Sequence, residues 1–437
     1  MRRRTACLLL ATAACAGAEA PDAGPSATPD AGAPPGLVGE DGTLTLSEDG
    51  FWSPDVAFSS DGAAHLVYVS GVRPQHLVYG TCAGRCEVST SWSLAELVVA
   101  DALDGVRMFT DPAAVVHLVY SGTVGGSSKT GYGRCSSRCT DPERWAWADL
   151  TARLEGAVVD FLGTPLQADG AGGAAVVAHR PEGGVRLALC SEGCEDPARW
   201  VVSLLRETGR RASLGLGAFA AHMVVHEDDG QLVYRSCMGA CNTPGGWEES
   251  PPLFVHAGPG SIALAVVGAE VRLAYNQGLA PAALPPEVHA LDNQLVFRTC
   301  NANCLEDAGW SLAALGPGNG EYLGIAALGR FTGLAITRLD RTLGVALCQS
   351  GCGDVRGWVL DLRDTPEALD AVEDPYDRTC DGERPYLATW AAHDPRMAVS
   401  PITGSGLYAY TALLTRLCRP GGTEEASAGF GRVVYIP

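Results

Sequence analysis

The sequence predicts an all-β fold, a β-propeller of seven four-stranded blades with six as the alternative. Three observations carry the prediction. The pattern Cys-x3-Cys-x5-Trp occurs six times, as in CSSRCTDPERW at Cys135–Trp145. The first cysteines of the copies, Cys82, Cys135, Cys190, Cys237, Cys300 and Cys348, lie 47 to 63 residues apart. Short apolar runs of alternating pattern flank each copy, and no run of helical period joins them. A period near fifty marks a repeat architecture, and four short strands per repeat is the composition of a propeller blade.

The chain opens with a basic start, Arg2 to Arg4, followed by an apolar run from Ala6 to Ala14 and then small residues. That is the layout of an export signal, and the run is too short to cross a bilayer. The segment TAAC, Thr12 to Cys15, resembles a bacterial lipobox. The resemblance implies removal of residues 1–14, lipid on Cys15, and attachment to an outer membrane or cell surface through that lipid alone. Cleavage at AGA, Ala16 to Ala18, with release of a soluble protein, is the alternative. Residues 15–40 are rich in Ala, Pro, Gly and Asp, and PDAG occurs twice. Such a segment has too little apolar surface to offset its chain entropy, so an extended tether is expected. The propeller is assigned to residues 41–437.

Within the repeats, strands follow from alternation of Val, Leu and Tyr with polar residues. Calling the strands A to D from the axis outward, strand B reads AAHLVYVS from Ala63, VVHLVYSG from Val115, AHMVV from Ala221 and EVRLAYN from Glu270. Strand C reads HLVYGT, VRLAL, QLVYRS, QLVFRT and LGVAL, each just ahead of its cysteines. Strand D begins at the tryptophan, as in WSLAELVV, and a less regular strand A precedes each B, as in PDVAFSS from Pro54. A copy without cysteines, DPRMAVSPITGSGLYAYT from Asp394, aligns with SPDVAFSSDGAAHLVYVS from Ser53. Its third strand is GRVVYIP at the C-terminus and its fourth TLTLS, Thr43 to Ser47. Pairing both ends of the chain in one sheet closes the ring and removes two exposed edges.

Export permits oxidation, so each Cys-x3-Cys is expected to be a disulfide: Cys82–Cys86, Cys135–Cys139, Cys190–Cys194, Cys237–Cys241, Cys300–Cys304 and Cys348–Cys352. Setting aside Cys7 and Cys15, the remaining pair is Cys380 and Cys418. Both fall on one face of a propeller, which makes Cys380–Cys418 geometrically reasonable. Disulfides are preferred to a zinc site, since successive pairs should lie at the rims of different blades, too far apart to share an ion; no metal is expected. The repeated tryptophans, Trp92, Trp145, Trp200, Trp247, Trp310 and Trp358, are expected to pack blade on blade, because an indole buries so much area.

The hairpin between strands C and D resembles the Asp-box of sialidase-like propellers. CTDPERW and CEDPARW keep the acid and the indole through Asp141, Trp145, Asp196 and Trp200. The resemblance implies the architecture and a structural turn. It implies for sialidases an arginine cluster, a tyrosine paired with glutamate, and an acid/base, none of which maps residue by residue onto this chain. No catalytic residue is assigned, and no zinc-protease, nucleophile-elbow or phosphate-loop motif is present. His65, His117 and His222 share one strand-B position, which suggests packing rather than ligation. Arg210 and Arg211 follow Gly209 and read as a solvated turn.

A net charge of −19, with Lys129 the single lysine, argues against nucleic-acid or anionic-lipid surfaces. The expectation is a monomeric, cofactor-free binding or scaffolding module with an unidentified protein or carbohydrate ligand. A sialidase-like glycoside hydrolase and a purely structural envelope protein are the alternatives. Any ligand is expected on the face opposite the cysteine hairpins, where the long connections Asn276 to Asn293 and Asp364 to His393 lie.

Overall fold

The computed structural model describes residues 43–45, 51–71, 74–86, 91–159, 161–180, 182–252, 257–278, 291–317, 323–337, 343–364, 387–402, 406–417 and 425–436. The predicted signal, Cys15, the whole tether, and both Cys380 and Cys418 lie outside them, as does most of each long connection.

The fold is an all-β propeller with four-stranded antiparallel blades. Six blades carry the cysteine repeat, in sequence order. In the first, strands A to D are Phe51–Phe58, Ala64–Ser70, Gln75–Cys82 and Ser93–Ala100. The second runs through Ala102–Thr110, Val116–Val124, Ser127–Cys135 and Ala146–Asp149. Strand A of the third is split into Val158–Val159 and Leu166–Ala168, both paired to Ala174–His179, after which come Val185–Cys190 and Val201–Arg206. The fourth has Arg211–Leu216, Ala221–His226, Leu232–Cys237 and Glu248–Glu249. The fifth has Ala257–Val267, Glu270–Gln277, Gln294–Cys300 and Trp310–Pro317, and the sixth Leu323–Leu328, Phe331–Thr337, Leu343–Cys348 and Trp358–Asp364.

A further four-stranded sheet has the order Thr43–Thr45, Glu425–Ile436, Gly406–Leu417, Leu387–Val399. Thr43 stands opposite Val434, so the two ends of the chain share this sheet, as the sequence predicts. Its Ala398 and Leu407 pack in one cluster with Val56 and Leu66 of the first blade, while the Arg396 guanidinium donates to Leu323 O of the sixth at 2.9 Å.

Blade contacts repeat as the tryptophan spacing predicts. The side chain three residues before the first cysteine points at the tryptophan of the next blade. Tyr79 meets Trp145 edge-on at 5.3 Å between centroids, Tyr132 meets Trp200 at 4.9 Å, Tyr234 meets Trp310 at 5.3 Å and Phe297 meets Trp358 at 4.7 Å. Leu187 and Trp247 share a cluster across the same kind of seam. Edge-to-face rings use the indole quadrupole as well as its area.

Candidate functional site

The hairpin that carries the repeat is built first from sulfur and then from a capped turn. All six predicted Cys-x3-Cys pairs are joined, with Cα separations of 5.6 or 5.7 Å. Among the described residues a single 3-10 turn follows in five of the six blades. Asp141 Oδ1 accepts the Glu143 N–H at 3.1 Å, and Asp196 Oδ1 accepts that of Ala198 at 2.9 Å, which is the work of an N-cap. The acid kept from the Asp-box pattern therefore orders a turn. Every tryptophan then closes the loop on itself. Its indole N–H donates to the carbonyl of the second cysteine, at 2.9, 2.7, 2.8, 2.9, 2.9 and 2.8 Å from Trp92 to Trp358. Trp200 is only 1% exposed. Five of the six repeat indoles are buried and Trp358 is half-buried, so five of them have no open face for a ligand. Among the described residues no group of three His, Cys, Asp or Glu is placed to hold a metal ion.

The three strand-B histidines do more than pack. In each of their blades the Nδ1 atom lies 2.6 Å from the hydroxyl of the strand-C tyrosine: His65 with Tyr79, His117 with Tyr132, His222 with Tyr234. His117 Nε2 is 3.2 Å from Asp111 Oδ2. A carboxylate only accepts, so Nε2 carries the proton and Nδ1 accepts from Tyr132. In the first blade His65 Nε2 is 3.0 Å from Ser59 Oγ, which itself donates to Asp61. The hydroxyl-to-imidazole direction is thus the same. Burial lowers all three imidazole pKa values, that of His65 to about 4, and raises those of the three tyrosines. The pairs are neutral structural bonds. They were legible: where strand C has Leu187, Phe297 or Val345 in place of tyrosine, strand B has Ala175, Arg272 or Gly333 in place of histidine.

The axis of the ring holds a cavity of about 350 Å³, lined by inner strands of the blades and the terminal sheet. Between the two halves of the third blade's strand A, the segment from Phe161 to Thr164 turns toward inner strands of other blades, while Pro165 O already accepts Val177 N of its own blade at 2.8 Å. Thr164 accepts from Leu214 N through its carbonyl at 2.9 Å and reaches Leu264 O through Oγ1 at 3.4 Å. Phe161 O accepts from the Arg396 guanidinium at 2.6 Å, and the Arg107 guanidinium lies 5.8 Å from the Phe161 ring centre. Gly105 is required opposite that ring, because a Cβ there would sit 2.6 Å from it. The cavity lining also includes Phe58, Thr110, Gln167, Leu216 and Val266, at or next to the ends of inner strands beside their A-to-B turns, so this rim lies on the face that carries the cysteine clips.

On that face the rim continues into a groove of about 600 Å³ between the third and fourth blades, sharing Phe109, Gln167 and Leu216 with the cavity. Phe219, at the tip of an A-to-B turn, is 88% exposed beside it, and Met238, inside a clip, is 77% exposed. Asp169 and Gln167 supply polar groups. The sequence places any ligand on the opposite face; this groove is on the clip face.

Of the groups that the sialidase resemblance implies, the cavity lining contains Arg107 and Arg396 but, among the described residues, neither tyrosine nor glutamate. Asp55 is its one carboxylate, and its two oxygens accept Val56 N at 3.0 Å and Met108 N at 2.8 Å. The arginines donate to Val106 O and Ser53 Oγ, and to Leu323 O and Phe161 O. They are spent on tying neighbouring strands and the Phe161 segment together.

No family model matches the chain, and no curated protein matches it. Solved structures do. An ulvan lyase of a polysaccharide lyase family is 12% identical over 88% of this chain and 94% of its own, with a TM-score of 0.49. A lectin of Aleuria aurantia is 11% identical over 73% and 98%, at 0.45. A Hadza microbial sialidase is 9% identical over 65% and 63%, at 0.43. The chain spans half the length of a prolyl endopeptidase that it also resembles. At these identities the likeness is one of fold.

Proposed function

We propose that the chain is a carbohydrate-binding propeller whose ligand sits in the groove of the clip face, against Phe219. The observation that carries this reading is an almost fully exposed phenylalanine at the edge of a 600 Å³ groove with polar groups in its wall. A groove of that size suits a small ligand, and an aromatic face beside hydrogen-bonding groups suits the mixed apolar and hydroxyl surface of a sugar ring. A protein partner would call for a broader apolar surface, of roughly 800 Å² a side. Hydrolysis draws no support from the axial cavity, since a glycosidase needs two carboxylates across the bond and the lining offers Asp55 alone.

Two further parts of the reading rest on sequence and packing. The terminal sheet serves as the closing, seventh blade; its contacts with the first and sixth blades support this. Export with lipid on Cys15 and a tether over residues 15–40 would hold the ring at a cell surface; the basic start, the apolar run and TAAC support it. Saturation-transfer NMR against a panel of neutral methyl glycosides tests the binding function. Ligand signals that vanish in Phe219→Ser support it; signals unchanged in that variant, or absent throughout the panel, sink it.

A further inference from the structure

A pocket of about 400 Å³ lies between the first and second blades. Its residues Val124 and Lys129 flank the B-to-C turn of the second blade, which puts it toward the face opposite the clips. The sequence of that blade makes room for it. A Cβ at Gly131 would stand 2.3 Å from the Tyr120 ring, and one at Gly133 would stand 2.6 Å from the Trp147 indole. Both rings therefore lie against bare backbone. Trp147 is a second indole, two residues after the repeat tryptophan; the other blades have Leu94, Val202, Glu249, Leu312 or Leu360 there. Leu97, Val98 and Val124 complete an apolar wall.

Three polar side chains share the lining, those of Tyr120, Lys129 and Asp149. Tyr120 is only 3% exposed, yet its hydroxyl has no hydrogen-bond partner among the described residues. Lys129 Nζ is 4.0 Å from Asp149 Oδ2, too far for a hydrogen bond, while Asp149 Oδ1 accepts Thr151 N at 3.0 Å. We infer that this pocket binds a free α-amino acid with an apolar side chain, as its zwitterion. The ligand carboxylate takes Lys129 and the Tyr120 hydroxyl, its ammonium takes Asp149 Oδ2, and its side chain lies on the apolar wall. A pocket of this size suits a small molecule. Lys129 and Asp149 are half-exposed, so their own pairing is worth little and a ligand can part them. Burial, with the Asp149 charge, pushes the Tyr120 pKa up to about 12, so the hydroxyl keeps its proton to donate. Ligands of one sign fit worse. A bare amine meets Lys129, the one lysine of the chain, and a bare acid meets Asp149 and the field of a net charge of −19. A neutral sugar answers both charges with hydroxyls alone, whereas a zwitterion makes the stronger charge-assisted bonds to each. The inference stands apart from the Phe219 groove, which shares none of these residues.

Lys129 supplies its own reporter. Isotope-labelled reductive methylation keeps its charge and marks the single side-chain amine of the protein. Titration of the full chain with L-phenylalanine should shift that NMR signal saturably. N-acetyl-L-phenylalanine lacks the ammonium and L-phenylalaninamide the carboxylate, and each should bind at least about tenfold more weakly. By saturation-transfer NMR on unmodified protein, Lys129→Gln and Asp149→Asn should each weaken phenylalanine binding about tenfold, with circular dichroism confirming that both are folded. Tyr120→Phe should weaken it about fivefold and leave the urea unfolding midpoint unchanged, whereas a structural hydroxyl would do the reverse. Phe219→Ser should bind phenylalanine as the parent does. The absence of a saturable shift with phenylalanine overturns the inference. So does equal binding of the three probes, binding that survives both Lys129→Gln and Asp149→Asn, or a shift produced by methyl β-glucoside in place of phenylalanine.

Discussion

The tyrosine-to-histidine bond of the second blade offers the sharpest test of how the blades are held. Replacing Tyr132 by phenylalanine keeps the ring that meets Trp200 at 4.9 Å and removes only the hydroxyl. His117, which is fully buried, then faces Nδ1 into an apolar gap, its Nε2 still bonded to Asp111. A lost neutral hydrogen bond is worth about 1 kcal/mol, and a buried acceptor left unpaired costs about 1–3 kcal/mol. The expected loss of stability is therefore about 1–3 kcal/mol, read from urea unfolding midpoints with the slope unchanged. In the background of His117→Ala the same tyrosine change should cost less than about 0.5 kcal/mol, because its partner is already gone. An equal cost in both backgrounds would show that the hydroxyl is not spending its bond on His117, and the orientation argued above would fall.

Acid should weaken the ring through the same histidines. Their folded pKa values lie below the unfolded value of 6.5, at about 4 for His65, because burial disfavours the charge. The unfolded chain then binds more protons below pH 6.5. Stability is fully present above that pH and falls as pH drops toward 4, by at most about 1.4 kcal/mol per pH unit per histidine. A flat unfolding midpoint between pH 6.5 and 5 contradicts this. Trp200→Phe, which loses the 2.8 Å bond to Cys194 O together with buried area, should cost about 2–3 kcal/mol by the same measurement. Removing one clip as Cys190→Ser with Cys194→Ser should cost about 2 kcal/mol, the loop-closure value for so short a ring; no change would mean that the turn is held by its cap and indole alone. Arg396→Gln should destabilise by about 2–3 kcal/mol, since the buried Leu323 O and the part-buried Phe161 O lose a charged donor.

Much of the ring was legible because it repeats. A feature present six times, such as the indole at Trp145 or Trp310, rises above the ambiguity of any single apolar run. The pairing of Thr43 with the C-terminal strand was legible for a related reason: a propeller leaves one sheet short at its seam, and only the chain ends can complete it. The histidine-tyrosine pairs were within reach, since His117 and Tyr132 come and go together with their counterparts in the other blades, yet a histidine in an apolar strand reads first as packing. The bulge at Phe161 was not legible. It occurs once, in the least regular strand of the blade, and its meaning lies in Arg396, 235 residues away. Phe219 was hidden for the converse reason. In the run GAFAAHMVV, from Gly217, it looks like one more strand residue, and only the turn between Gly217 and Ala220 sets it outside. Arg210 and Arg211 were read as a solvated turn, but Arg211 opens strand A of the fourth blade, paired with His226, and the neighbouring blade's turn walls both arginines into a pocket.

The Phe161 segment belongs to one blade but serves several: its carbonyl holds the Arg396 guanidinium of the terminal sheet, and Thr164 bonds to the fourth and fifth blades. A change in this one short stretch should therefore be felt as a loosening of distant neighbours together, rather than of its own blade alone.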